Sequence, residues 1–229
     1  MRLIGSALVL AFVLTSHGAA QTAKTAYPKM APLSQYLMPR GAEIALARSA
    51  APQSISGNAE ILILAKDGFQ TAVNGSNGFV CMVARSWSAE YADPGFWDPK
   101  LRAPICYNSL AAKSQVPATI KRTQVALAGG SQVQMSAAIK AAIESGELPV
   151  AESGSMAYMM SRQAYLNYRV GPWRPHLMFF TPEADPKSWG AGLPASPILG
   201  LEHQDERSTV FLIPLSRWSD GTHSVSEDN

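Results

Sequence analysis

The order of element signals along the chain predicts an α+β fold: an antiparallel sheet built from strands near residues 60–87, 176–180 and 209–213, with a helical middle section packed on it. Three observations carry this. Between Ala59 and Trp87 three strand-like runs follow one another, each with its own turn residues. Residues 108–146 hold helix start and stop signals instead, and strand-like runs return in the last third of the chain.

In chain order, residues 1–20 have the layout of a secretory signal peptide. A lone basic residue, Arg2, precedes an apolar run from Leu3 to Leu14 and the small residues Gly18-Ala19-Ala20, with cleavage expected after Ala20. That run is shorter than the ~20 residues a membrane span requires, and nothing later approaches this length, so no span is expected. A single globular domain is expected over residues 21–219 and a disordered tail over 220–229. Residues 31–50 read as helical, interrupted at Pro39, which suits the start of a fresh helix over Arg40–Arg48.

Glu60 to Ala65 is a short aliphatic run followed at once by Asp67-Gly68, a pair that favours a tight hairpin turn. With Asp67 and Gly68 as the loop, Lys66 pairs with Phe69, Leu64 with Thr71 and Leu62 with Val73. Both faces of the first strand are apolar, which places it inside the sheet. Asn74-Gly75-Ser76 matches a glycosylation acceptor but reads as a turn leading to the third strand, Phe79 to Trp87, on which Arg85 and Trp87 leave on the side of Cys81.

Asp93 to Pro99 is turn-rich and carries Phe96 and Trp97. Asn108 opens a helix, Pro117 divides it into two pieces, and Ser131 with Gln134 forms a capping-box pattern for a helix that Gly146 ends. In Ser153 to Tyr168 the spacing of Met156, Met159, Met160 and Gln163 fits a helix, the preferred reading, while Ala157-Tyr158-Met159-Met160 also fits a strand; Thr181 to Arg207 reads as one long loop between the last two strands.

Composition excludes several classes. The chain has 19 Lys and Arg against 17 Asp and Glu; loss of Arg2 with the leader leaves 18 basic residues and a net charge of +1, with no basic cluster to bind nucleic acid. The sequence has no Walker loop, dinucleotide fingerprint, C-x-x-C, H-E-x-x-H or G-x-S-x-G motif, so no cofactor is expected. The run Glu202-His203-Gln204-Asp205-Glu206, with His176 as a distant partner, has metal-ligand residue types but reads as a solvated loop, and no metal is expected. Cys81 and Cys106 lie 25 positions apart and are expected to form a disulfide in a secreted or periplasmic setting, holding the Phe96-Trp97 loop over the third strand.

Large aromatics at strand ends and in loops can line a cleft, with arginine supplying a polar contact. Arg85, Trp87, Trp97, His176 and Trp189 are accordingly the candidate ligand-binding residues, and the expected function is a binding or interaction domain for a small apolar, glycan or protein ligand. Two alternatives stand beside it: a secreted hydrolase using His176 with a serine or carboxylate partner, and a structural envelope component.

Overall fold

The computed structural model describes residues 27–166 and 174–224. The expected signal peptide and the last five residues of the expected tail lie outside them. The fold is α+β, with eight strands in one mixed sheet: β1 (Glu60–Ala65), β2 (Gly68–Val73), β3 (Val80–Ala84), β4 (Ala103–Tyr107), β5 (Ser155–Met159), β6 (His176–Pro182), β7 (Leu199–His203) and β8 (Ser208–Pro214). Their order across the sheet is β2-β1-β3-β4-β5-β6-β8-β7, and every neighbouring pair is antiparallel except β1 and β3.

The parallel pair follows from how the chain returns after the first hairpin. Strand β2 ends beside the start of β1, and the return segment crosses that start to begin β3 on the other side. Ser76 N donates to Asn58 O, and Glu60 N to Phe79 O, each at 2.8 Å. Gly75 permits the crossing, since a Cβ there would lie 2.2 Å from Glu60 N.

The hairpin register differs from the expected one. Lys66 and Asp67 form the loop, Gly68 already pairs with Ala65 at φ 117°, and Leu64 pairs with Phe69 and Leu62 with Thr71. The shift is two residues, so the side chains as far as Thr71 keep their expected faces, while Val73, expected on the face of Leu62, lies on that of Ile61. A bulge then leaves Ala72 without a partner, and Val73 meets Ile61.

Helix α1 (Arg40–Arg48) begins behind Pro39, as expected, and lays Leu46 and Ala47 on the face formed by Ile61, Ile63, Cys81, Val83 and Cys106. A single turn, α2 (Gln53–Ser56), connects it to β1. Helix α3 (Ser109–Leu127) crosses the opposite face, and α4 (Gln132–Glu144) packs on α3. The caps are those the sequence indicates: Asn108 accepts from Ala111 N at 2.8 Å, and both bonds of the Ser131–Gln134 box form.

Three expectations are corrected. Pro117 lies inside α3 rather than between two helices, because one lost backbone bond is outweighed by the packing of α3 on the sheet and on α4, with Ala111 and Ala126 buried on either side of the proline. Ser155–Met159 is a strand, since alternation places Ala157 and Met159 in the core between β4 and β6. The long segment before β8 contains the edge strand β7 and two 3-10 turns, Pro186–Trp189 and Gln204–Glu206. Residues 220–224, counted with the tail above, fold back so that Trp218 N donates to Thr222 O at 2.8 Å and Ser224 N to Ser216 O at 2.9 Å.

The disulfide Cys81–Cys106 is present, at directly paired positions of β3 and β4. It therefore clamps two neighbouring strands rather than holding a loop over one of them. The Phe96-Trp97 loop is fixed instead by burial: both rings are in the core, edge to face at 4.8 Å, and Tyr36 donates its hydroxyl hydrogen to Trp97 O at 2.8 Å. Among the described residues, no helix is long and apolar enough to cross a membrane.

Candidate functional site

Both edges of the sheet reach α3. Strand β2 packs against α3 at one edge, and the turn that follows β7 reaches α3 and α4 at the other, so the sheet curves around α3. The enclosed space is not filled. A cavity of about 300 Å³ lies between the sheet and α3. Its floor is Ile105 and Tyr107 of β4, Met159 of β5, Met178 and Phe180 of β6 and Val210 of β8. The unfilled volume has a local cause: Ala84 and Ala103, paired across β3 and β4, face the cavity together with Ala118 of α3. Protein interiors are otherwise packed with few voids larger than a water molecule.

One end of the cavity is bounded by charged side chains from four parts of the chain. Arg122 of α3 forms an ion pair with Glu206 of the Gln204–Glu206 turn and donates to the carbonyls of Trp87 and Ala89 at 3.1 and 3.2 Å. Its guanidinium carbon lies 4.5 Å from the centre of the Tyr91 ring. His203, at the end of β7, stands between two carboxylates. Its Nε2 lies 2.6 Å from Glu90 Oε1, an ion-pair approach outside the line of a well-aligned hydrogen bond, and its Nδ1 lies 3.8 Å from Glu206 Oε2. Asp205, between them in sequence, accepts from Ser136 of α4.

This arrangement sets the charge states. Burial disfavours a charged imidazole, but the reach and charge of Glu206 and Glu90 outweigh it and hold His203 up at about 9. Burial also favours a neutral Glu206, against which Arg122 and then His203 hold it down at about 2. Glu90 is lowered first by its partner His203. At neutral pH His203 is therefore a cation, with both ring nitrogens protonated and no lone pair to accept a proton as a base. The group acts as a latch that ties β7 and its following turn to α3 and to the segment after β3.

Tyr91 is pushed up to about 12, chiefly by burial, and Tyr107 is also raised, again by burial first. Both phenols stay neutral. At the cavity wall the Ser88 hydroxyl is buried and has no hydrogen-bond partner in the protein.

The five candidate residues do not converge on one place. Arg85 borders the cavity, but its side chain points to the other face of the sheet, as its strand parity predicts. There Nη2 lies 2.8 Å from Glu43 Oε1, Nε donates to Tyr36 O at 2.9 Å, and Nη1 donates to Val83 O. Trp87 turns away from the Cys81 side within a 3-10 turn, Ser86–Ser88, and donates Nε1–H to Thr123 Oγ1 at 3.0 Å. It shares a buried cluster with Trp97. His176 opens β6, buried, with Nδ1 3.1 Å from Arg174 O and its pKa lowered chiefly by burial. Trp189 stacks on Phe211 at 4.3 Å, on the sheet face away from the cavity.

The residues that bound the cavity were visible in the sequence only in part. His203 and Glu206 belong to the mixed run 202–206, but their partners Glu90 and Arg122 lie far away in the chain, and Ser88 carried no signal. Among the described residues, no group of three or more His, Cys, Asp or Glu is placed to hold a metal ion. Comparison of the chain with protein-family models, with curated proteins and with solved structures finds no match.

Proposed function

We propose that the protein is a binding module that takes a small apolar ligand into the cavity between the sheet and α3, and that it works outside the reducing cytosol, secreted or periplasmic. The observation that carries the reading is the cavity itself. About 300 Å³ is at the lower end of the range for ligand pockets, its walls are mainly aliphatic and aromatic, and a few polar groups stand at one end. The setting is supported by the disulfide and by the leader-like residues 1–20, which lie outside the described structure. The hydrolytic alternative has no comparable support, because His176 is not part of the cavity wall.

Naphthalene is a probe of suitable size and polarity. Saturable binding to the oxidised protein, followed by its fluorescence, is expected for the wild type. In Ala118→Phe, which adds a ring where α3 borders the cavity, affinity should fall at least tenfold while the protein keeps a cooperative urea transition. No saturable binding to the wild type, or equal affinity in the two folded proteins, would overturn the proposal.

A further inference from the structure

The way the cavity opens to solvent indicates the shape of its guest, an inference that rests on the binding role proposed above. Two rows of apolar side chains cross the last three strands of the sheet. In one, Phe180 of β6 pairs with Val210 of β8, and Val210 with Leu201 of β7. In the other, Met178 pairs with Leu212, and Leu212 with Leu199. Paired residues share a face, as do residues two apart along a strand, so all six side chains belong to one surface. Phe180, Met178, Val210 and Leu201 also line the cavity, which makes this its own floor.

Exposure rises along both rows towards β7, the edge strand. Phe180 and Val210 are buried, whereas Leu201 is 41% exposed; Met178 and Leu212 are half-buried, whereas Leu199 is 58% exposed. Leu201 borders the cavity and meets solvent at the same time, so the apolar floor continues past the opening and onto the outside of the sheet. Single exposed leucines are common on protein surfaces, but these two extend an apolar interior. A compact guest held in the cavity leaves them uncovered. A folded partner can cover them but cannot enter a space of about 300 Å³. A linear chain does both.

We infer that the ligand is an amphiphile with one straight hydrocarbon chain, longer than the cavity alone can hold. The far end of the chain lies over Met178 and Phe180, the part nearer the head group lies on Leu201 and Leu199, and the head group stays in water at the sheet edge. Volume sets the threshold length: an apolar cavity of roughly 150 Å³ accepts one benzene, so about 300 Å³ holds on the order of twelve carbons.

The test is a calorimetric titration of the oxidised protein with decyl-, dodecyl- and tetradecylphosphocholine, each below its micelle concentration, which share one zwitterionic head group and differ only in chain length. A fully buried CH₂ strengthens binding roughly fourfold and a half-covered one roughly twofold, so tetradecylphosphocholine should bind at least tenfold more tightly than decylphosphocholine. Leu199→Ser changes an exposed residue outside the cavity wall, so its urea midpoint should match that of the wild type. It should leave decylphosphocholine affinity within about twofold and weaken tetradecylphosphocholine by roughly fivefold. Saturable binding of decylphosphocholine with no gain for the longer chains, or a Leu199→Ser effect that is absent or equal for all chains, would overturn the extended chain and leave the binding role standing. A wild-type dimer in sedimentation that Leu199→Ser dissolves would also overturn it, because a second copy would then cover the rows. Binding of naphthalene but of no phosphocholine would overturn the linear class alone. Failure of all of them, naphthalene included, would overturn both the class and the binding role.

Discussion

Substitution of Glu43 by Gln is the sharpest test of how the sheet is held to α1. The Glu43 and Arg85 side chains are 1% and 0% exposed, and Glu43 Oε1 accepts both from Arg85 Nη2 at 2.8 Å and from Leu64 N at 3.0 Å. Glutamine keeps the shape and the acceptor for Leu64 N, so the change isolates the charge. Arg85 is then a buried guanidinium whose acceptors, the glutamine side-chain oxygen and the Tyr36 and Val83 carbonyls, are all neutral. Removing one member of a buried pair costs about 3–5 kcal/mol, a large part of the 5–15 kcal/mol that stabilises a typical domain. Arg85→Met should cost a similar amount, because it strands Glu43. The double variant has no buried charge, and only the bonds to two carbonyls and the lost hydrogen bond remain, at about 1–2 kcal/mol in total. Urea unfolding of the oxidised wild type, both single variants and the double variant, followed by tryptophan fluorescence, gives the coupling directly. It should be about 3 kcal/mol or more. Single effects that add to the double effect within about 0.5 kcal/mol would show that the two side chains do not act as a pair.

Two further outcomes are expected. Cys81→Ser should lower stability by roughly 3–4 kcal/mol against the oxidised wild type, from the 25-residue separation that the bridge closes, and identical urea midpoints would refute this. His203 titrates at about 9 in the folded chain against 6.5 ordinarily, so its stabilising contribution is complete below about 6.5 and is lost as the pH rises through 9. The wild type should therefore lose on the order of 2 kcal/mol more stability than His203→Gln between pH 7 and 10, measured by urea unfolding at each pH, whereas parallel profiles would show that the latch carries no such charge.

Local signals were the legible part of the fold. The Asn108 cap, the Ser131–Gln134 box and the start of α1 behind Pro39 each depend on residues within one turn of each other, so the sequence carries them complete. Strand parity was legible for the same reason, and as far as Thr71 it survived a hairpin register that was two residues out, beyond which the bulge moves Val73 to the other face. The register itself depends on Gly68 adopting φ 117° inside the ladder and on the bulge at Ala72, which Asp67-Gly68 does not reveal. Ser155–Met159 has methionines at spacings that suit either period, and its position between β4 and β6 decides for a strand. The edge strand β7 was hidden because Leu199 and Leu201 are exposed and the run between them holds a glycine.

The site was less legible than the fold. The cysteine pair could be read because both partners are one residue type with one usual outcome in an oxidising setting. The aromatic candidates drew attention through their size, yet Trp87 and Trp97 serve the core, where size is used for packing. The cavity, by contrast, is formed by what is small, Ala84, Ala103 and Ala118, brought together from two strands and a helix. An alanine in a sequence gives no sign of whether its neighbours will close over it.

The position of β8 has a consequence for the order in which the molecule can be assembled during synthesis. β8 follows both β6 and β7 in the chain but lies between them in the sheet, so β7 has no neighbour to pair with until the residues after it have been made. A chain that emerges from its N-terminal end can pair β1 to β4 and oxidise Cys81 and Cys106 while the last third is still unmade. The segment that brings Leu201 and His203 to α3 is then the last wall to be set, hung on a strand that arrives after it.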